Sequence, residues 1–542
     1  GAIWIETTTL AGVGEIAADG GSHPYDHASA HSAGGGGRIA VTYDTNTYTG
    51  IMSAYGGTTA YTLDSSERAG AGTVFTRNRL TEPHGRLIVA NNNVVTQGFS
   101  TRLQSEGVLI LNELRVVEAG RLQTPDPIVI QGGVGTDTMQ LQGNLAGARL
   151  FLSSVETLEL NGGELATNLI YAQDVNLIGS SLLRHWATTT SVERGLVLSL
   201  DTLTVEAGSR VDVSNLGYLG GSRSGNTANG DAHPDGVEAG SGIGGSYGGL
   251  GGKASASASY GDFRAPYELG GGGYGQTSSQ LGGNGGGRVH IVANSLTVDG
   301  QILANGQDVP SGDLYANGGA GGAIWIETTT LAGVGEIAAD GGSPLYNTGN
   351  AYSAGGGGRV SVTYDTNTYT GIMTAYGGTT AYTQDSTERA GAGTIFLLDT
   401  VNHDYGVLIV DNGDMETSGY STRLPTISGG TITSLTGDTL EDDSALFPLP
   451  GSTSLGLAGL VLNPNTSQGV TFDIVGNDAT QIQVDPLADL TAVAAVSDTY
   501  AIEYHLDDLQ VLGRARLYSA NSIVVHGTSG SDVMVVGGLL GT

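Results

Sequence analysis

The chain has 542 residues, of which 91 are Gly and none is Cys, and 53 acidic against 21 basic residues give a formal net charge of −32. Without Cys there is neither a disulfide scaffold nor a thiolate metal site. With Lys253 the sole lysine, nucleic acid and anionic membrane surfaces, which are held by clustered Lys and Arg, are excluded as partners, and no apolar run reaches the roughly 20 residues that would span a bilayer.

Residues 1–103 read as Gly-rich β-helix coils. GAIWIE, GGGGRIAVTY and AGAGTVF each set a Gly cluster before a short run of alternating apolar residues. Alternation of that kind, rich in β-branched and aromatic residues, predicts half-buried strands. Ile3/Ile5, Ile39/Val41 and Val74 are the inward positions. Gly at the corners would supply positive φ, and the clusters would let backbones approach closely. The loop between the first two strands holds His23, Asp26, His27 and His31. Its H-x3-H-x3-H spacing invites a zinc reading. The matching loop of the second copy, SPLYNTGNAYS, has no His, so a variable solvent loop is expected. Thr45, Thr47 and Thr49 alternate as an ice-binding array would, but do not recur in every coil.

Residues 104–200 have fewer Gly and runs such as VETLELNGGELATNLIYAQDVNLIGSSLL, which predict plainer coils with short corners. GGVGTDTMQ at 132–140 fits the calcium-binding nonapeptide G-G-x-G-x-D-x-U-x. The carbonyls of Gly132, Gly133 and Gly135 and the carboxylate of Asp137 would be its oxygen ligands. Such turns bind calcium when stacked, and this one stands alone, so a plain Gly-Asp corner is the blander alternative. Residues 201–321 return to the Gly-rich type and carry a long Gly/Ser/Tyr-rich excursion over about 216–284. Long structureless loops are rare in compact proteins, so it is predicted to fold against the coils. Tyr25, Tyr247, Tyr260, Tyr274 and Tyr346 lie in such excursions. They suit a contact surface or the packing of loop on coil equally.

Residues 322–424 repeat 1–103 without a gap: GAIWIETTTLAGVGEIAADGGS begins at both Gly1 and Gly322, an offset of 321. Residue 1 thus opens inside a repeat, which predicts that both ends are cut from something longer. A shorter period of about 35 residues links segments beginning at Gly285, Gly321, Gly356 and Gly391. A unit that small cannot bury its apolar face alone, and stacking on equivalent units solves the problem. The predicted fold is therefore all-β, a right-handed parallel β-helix (β-solenoid) with long Gly-rich lateral loops, its hand following the rule for parallel crossovers. Arg38, Arg288 and Arg359 each follow a Gly triplet and are predicted to pair with an acid such as Glu67 or Glu388 or to cap a carbonyl.

The correspondence lapses over 425–498, read as a β-rich insertion into the second copy. It resumes over 499–542, which match about 104–147 at an offset of 395, Arg121 falling on Arg516. The nonapeptide recurs as GTSGSDVMV, keeping Gly527, Gly530 and Asp532 and replacing the second Gly by Thr528. HLDDL at 505–509 offers Asp507 and Asp508 as the two carboxylates of a glycoside hydrolase. Neighbouring strand residues point to opposite faces, so the pair is not expected to converge.

The Gly clusters before short strands (GGAIWIE, GGGGRIAV, AGAGTVF), followed by L-x-G-x-G-x-I-x-A-x-GG, cover over half the chain. In this they resemble the Gly-rich repeats of very large bacterial surface and adhesin-like proteins. The resemblance implies an extracellular or cell-surface location and a fibrous, repetitive role, and brings no catalytic residues. The function expected is structural or adhesive, a rigid stalk or filament component, and not an enzyme. Alternatives are a glycan- or calcium-binding surface module and a β-helix polysaccharide lyase or hydrolase. Expected partners are neighbouring repeats or other copies of the chain, and surface glycans. No cofactor is required, and calcium is the ion expected if one is bound.

Overall fold

The structure is a computed structural model and describes all residues except 24–31, 60–66, 97–100, 104–106, 125–126, 132–137, 142–143, 147–149, 152–156, 256–257, 310–315, 346–351, 381–386, 418–421, 452, 528–533, 537–538 and 542. The fold is all-β and largely parallel. Among the described residues the regular helical structure comprises the 3-10 turn Leu490–Ala492, with no α-helix.

Strands pair with their equivalents one short repeat away. Ile3 lies opposite Ile39 and Ile5 opposite Val41, and Ile39 in turn lies opposite Val74. In the second copy Ile324 and Ile326 oppose Val360 and Val362, and Val360 opposes Ile395. These are the pairings that the apolar alternation predicts. Each full unit contributes three strands in order. Glu164–Ala166, Leu182–Arg184, Arg210–Asp212, Gln301–Leu303 and Glu336–Ala338 form the third ladder. The first two run side by side in one wide sheet, and Leu196–Val205, Arg288–Val298 and Ala323–Ala332 cross both in single long strands. Inward residues stack along the ladders: Leu158/Leu160, Val175/Leu177, Leu203/Val205 and Leu296/Val298 on one side, and Leu165, Leu183, Val211, Ile302 and Ile337 on the other, all fully buried. Each such side chain contributes roughly 1.5–3 kcal/mol relative to exposure, which is what a small repeat obtains only by stacking.

The Gly clusters serve close approach. Positive φ occurs at strand corners such as Gly162 (72°) and Gly179 (61°), and at none of the glycines within 34–37, 282–287, 318–322 and 355–358. In these clusters successive amides bond in different directions. Gly356 donates to Gly245, Gly357 to Gly391 and Gly358 to Ala339, at 2.9, 3.0 and 2.7 Å. Ala320, Gly321 and Gly322 repeat the pattern toward Gly271, Gly356 and Ala304. This is the directionality of an extended strand with three residues per turn, which packs on all sides only where side chains are absent. The excursion over 216–284 lays its own glycines into this array, Gly249 donating to Gly357 at 2.8 Å. It is thereby fixed to the second copy without forming strands.

Outside the inserted residues, two of the described strand pairs break the parallel rule. Thr73–Asn78 runs antiparallel to Arg86–Ala90, and 321 residues later Thr394–Asp399 runs antiparallel to Val407–Asp411. At the first joint Val74 opposes Ile88 and Phe75 opposes Leu87. Directly opposed residues share a face. Val74 packs with Ile39 and Val41, whereas Leu87 packs with Leu114 and Val116, so the core passes from one face of the sheet to the other. The second joint does the same: Ile395 belongs to the central core, and Phe396 and Leu408 to the next. At each joint one side chain clamps the reversal. Asn112 Oδ1 accepts from the His84 and Gly85 amides at 2.8 and 2.9 Å. Asp507, its counterpart, accepts through Oδ2 from Tyr405 and Gly406 at 2.8 and 2.6 Å.

The inserted residues form an antiparallel lobe. Val461–Asn463 lies between Phe472–Asn477 and Thr499–Leu506, and Gln481–Val484 joins Phe472–Asn477 to Thr439–Glu441. Its core, including Leu440, Leu462, Ile474 and Ile482, is continuous with that of the last coils.

Candidate functional site

A cleft of about 940 Å³ opens where the excursion meets the inserted lobe. On the excursion side Arg264 closes on Asp262, with Nε on Oδ1 at 3.1 Å and Nη2 on Oδ2 at 2.6 Å. The same guanidinium reaches the lobe, donating to the carbonyls of Ala458 and Gly456 at 2.6 and 3.2 Å. The Arg264 carbonyl accepts from Ser361 Oγ at 2.6 Å. One buried Arg therefore ties excursion, lobe and coil together, and a planar fork with five donors suits that task.

The lobe wall is built on Asp442, whose Oδ1 accepts from the Ser444 amide and hydroxyl at 2.9 and 2.6 Å and whose Oδ2 accepts from Tyr500 at 2.9 Å. Burial works to raise the Asp442 carboxyl, but the bonds from Ser444 and Tyr500 hold it below its ordinary value. Burial raises the Tyr500 hydroxyl well above its own, so it stays a donor. Asp235 and Glu268 add further carboxylates to the lining, and Thr426, Ser428 and Ser454 add hydroxyls. Leu446, 92% exposed, stands at the lobe edge of the lining. With Arg264 engaged on Asp262, the cleft presents mainly acceptors and hydroxyls beside apolar surface, chemistry that suits hydroxyl-rich or cationic ligands and disfavours anions.

A second cluster sits beside the second joint. His526 Nε2 lies 2.8 Å from His505 Nδ1, and His505 Nε2 lies 3.3 Å from Glu503. Tyr405 stacks on His526 with ring centroids 4.8 Å apart and donates to Asp473 at 2.9 Å. Burial lowers the His505 pKa, with Glu503 opposing and His526 reinforcing the shift. A His–His contact this short is compatible with one proton between the rings and not with two charged imidazoliums.

Of the calcium candidates, Gly132, Gly133, Gly135, Asp137, Gly530 and Asp532 lie outside the described residues. Gly527 is a corner with φ of 73° that donates to the Asp507 carbonyl at 3.0 Å. Asp26, His27 and His31 also lie outside, and the His23 amide bonds Thr58. No group of three or more His, Asp or Glu suited to a metal occurs among the described residues. Asp507 and Asp508 diverge, as adjacent strand residues should: Asp507 clamps the joint and Asp508 accepts from Gln510 at 2.9 Å. Arg359 bonds the Tyr260 carbonyl and Thr394, and Arg288 bonds the Tyr267 carbonyl over that ring. The expected carbonyl cap thus holds for both. Glu388, named as a partner for this Arg series, pairs instead with Lys253 at 3.1 Å. Tyr247 and Tyr260 are buried against Ala320 and Ala323, so they pack the loop onto the coil; Tyr25 and Tyr346 lie outside the described residues.

Sequence reasoning missed Arg264, the Asp442–Tyr500 pair and the histidine pair. An isolated Arg in a Gly-rich stretch was the one visible signal, because the carbonyls and acids that complete these groups come from distant segments. No protein-family model, curated protein or solved structure matches this chain.

Proposed function

We propose that this chain is a rigid, right-handed parallel β-solenoid segment of a large extracellular or cell-surface protein, with a structural or adhesive role and no catalytic one. The observation that carries the reading is an unbroken succession of sixteen hydrogen-bonded strands from Ala2–Glu6 to Met534–Val536. At about 4.8 Å per strand it runs roughly 70 Å. Stability then comes from nearest-neighbour stacking along one axis, which is how a stalk is built. Small-angle scattering of the chain tests it: one stiff particle containing that length is expected, and a profile of independently moving domains would sink the proposal.

The cleft favours a second reading, a module for neutral glycans, because its acceptors and hydroxyls flank exposed apolar surface. Glycan-array binding that is lost in Asp442→Asn and retained in Asp508→Asn would support it. A hydrolase reading gains nothing from Asp507, whose carboxylate is taken up by two backbone amides.

A further inference from the structure

We infer that a smaller pocket beside the cleft takes a single oxoanion, the carboxylate or sulfate ester of one acidic sugar. The inference rests on the reading of the cleft as a glycan module and adds a charged subsite to it. The pocket has a volume of about 340 Å³ and shares Pro425 and Thr426 with the cleft. Arg359, Arg423 and Tyr518 reach it from the coils, and Ser259 and Tyr260 from the excursion. Among the described residues no Asp or Glu lines it.

Two cations without a counter-charge meet there, in a chain with 53 acidic against 21 basic residues. Other cations of the excursion and its seat are neutralised, Lys253 by Glu388, Arg264 by Asp262 and Arg288 by Glu193. Arg359 and Arg423 form no ion pair among the described residues. Arg359 is fully buried, and neutral groups alone hold it. Its Nε and Nη2 donate to the Tyr260 carbonyl at 3.1 and 2.7 Å, and its Nη1 donates to Thr394 Oγ1 at 3.2 Å. An uncompensated buried charge is costly, so an anion arriving in front of Arg359 is favoured. Arg423 stands over the Tyr518 ring, Cζ 4.3 Å from its centroid, and its buried Nε donates to no acceptor among the described residues. A guanidinium presents Nε–H and an adjacent Nη–H side by side, a match for two oxygens of a carboxylate or sulfate. Ser259, Thr426 and Tyr518 add hydroxyls to the lining.

The repeat alone does not make this site. Arg38 and Arg102, the counterparts of Arg359 and Arg423 at the offset of 321, are both exposed. Arg102 lies beside Gln123 on the neighbouring strand, where Arg423 lies beside Tyr518 and its ring. Nearby carboxylates limit what binds. Asp235, Glu268 and Asp442 line the cleft and repel a second negative charge there. The ligand that fits both chambers is therefore a glycan with one acidic residue seated in the pocket and neutral residues in the cleft.

The test is titration calorimetry of the full chain with glucuronate and with glucose 6-sulfate at fixed ionic strength, glucose serving as the neutral control. At least one of the two acids should bind about tenfold or more tighter than glucose, and the tighter one names the source of the oxoanion. Arg423→Gln should weaken that acid about tenfold or more and leave glucose unchanged. The Arg423 side chain makes no hydrogen bond or ion pair among the described residues, so this variant should keep the fold. Arg102→Gln, at the exposed counterpart, should bind as the parent chain does. Neither acid binding better than glucose, or equal binding by Arg423→Gln, overturns the inference. Neutral glycans on the array report the cleft by itself, so a chain that binds them but neither acid refutes the subsite and leaves the module reading standing.

Discussion

Gly35 and Gly356 occupy the same repeat position, and the same substitution at each should have opposite consequences. A Cβ built on Gly356 would stand 2.0 Å from the Gly249 carbonyl oxygen and 2.5 Å from its carbon. Both are backbone atoms of the excursion, held by the Gly249–Gly357 and Gly356–Gly245 bonds at 2.8 and 2.9 Å. Relief requires the excursion to lift by about 1 Å or more, at the roughly 1–3 kcal/mol typical of overpacking. The two bonds that lengthen add about 1 kcal/mol each, for a total on the order of 3–5 kcal/mol. At Gly35 the nearest atom to such a Cβ is 3.9 Å away. There Gly35→Ala stabilises by up to about 1 kcal/mol, through lost freedom of the unfolded chain. A stacked chain of this length does not unfold in one step, so local hydrogen exchange is the suitable assay. Amides over 244–252 and 355–358 should exchange a hundredfold or more faster in Gly356→Ala, about one factor of ten per 1.4 kcal/mol. They should be unaffected in Gly35→Ala. Equal effects, or none at Gly356, would refute the view that Gly356 is there to seat the excursion.

Asn112→Ala should cost about 2–4 kcal/mol and speed exchange over 79–85, because the His84 and Gly85 amides lose their acceptor and the Gln131 carbonyl its donor; Asn112→Asp should be milder, since an acid already clamps the second joint. His185 is buried, and burial lowers its pKa to about 4. Its contribution to stability is complete above the unfolded value near 6.5 and is lost as pH falls toward 4, on the order of 3 kcal/mol. Urea unfolding of the coils around it should show that slope, and His185→Gln should flatten it. Calcium chelation should leave the thermal midpoint unchanged, because the nonapeptide motifs that hold Asp137 and Asp532 each occur singly in the sequence; a fall of several degrees would assign them to ions.

The strands were legible because burial writes itself into alternation: Ile3, Ile39 and Val74 fall opposite one another as their spacing predicts. The joints were not. TVFTRN and RLIVA carry apolar residues on both faces (Val74 and Phe75, Leu87 and Ile88), as AIWIE does, and which core each face meets depends on the neighbour. The excursion's seat was also invisible, because Gly35 and Gly356 have the same local sequence and differ only in what lies above them. The cleft shares that limit: Arg264 meets carbonyls almost two hundred residues away, and nothing local encodes them.

Each joint makes two changes at once. Strand direction and core side change together, which amounts to a half-turn about the stacking axis and keeps the ladder order intact. Val74 opposite Ile88 and Phe75 opposite Leu87 are the residues that carry it. At that junction each strand must be apolar on both faces, one for the core it leaves and one for the core it enters, as Ile395 and Phe396 are at the second joint. A single joint would present ends of opposite direction. Two joints, one large repeat apart, return the strands to their starting direction.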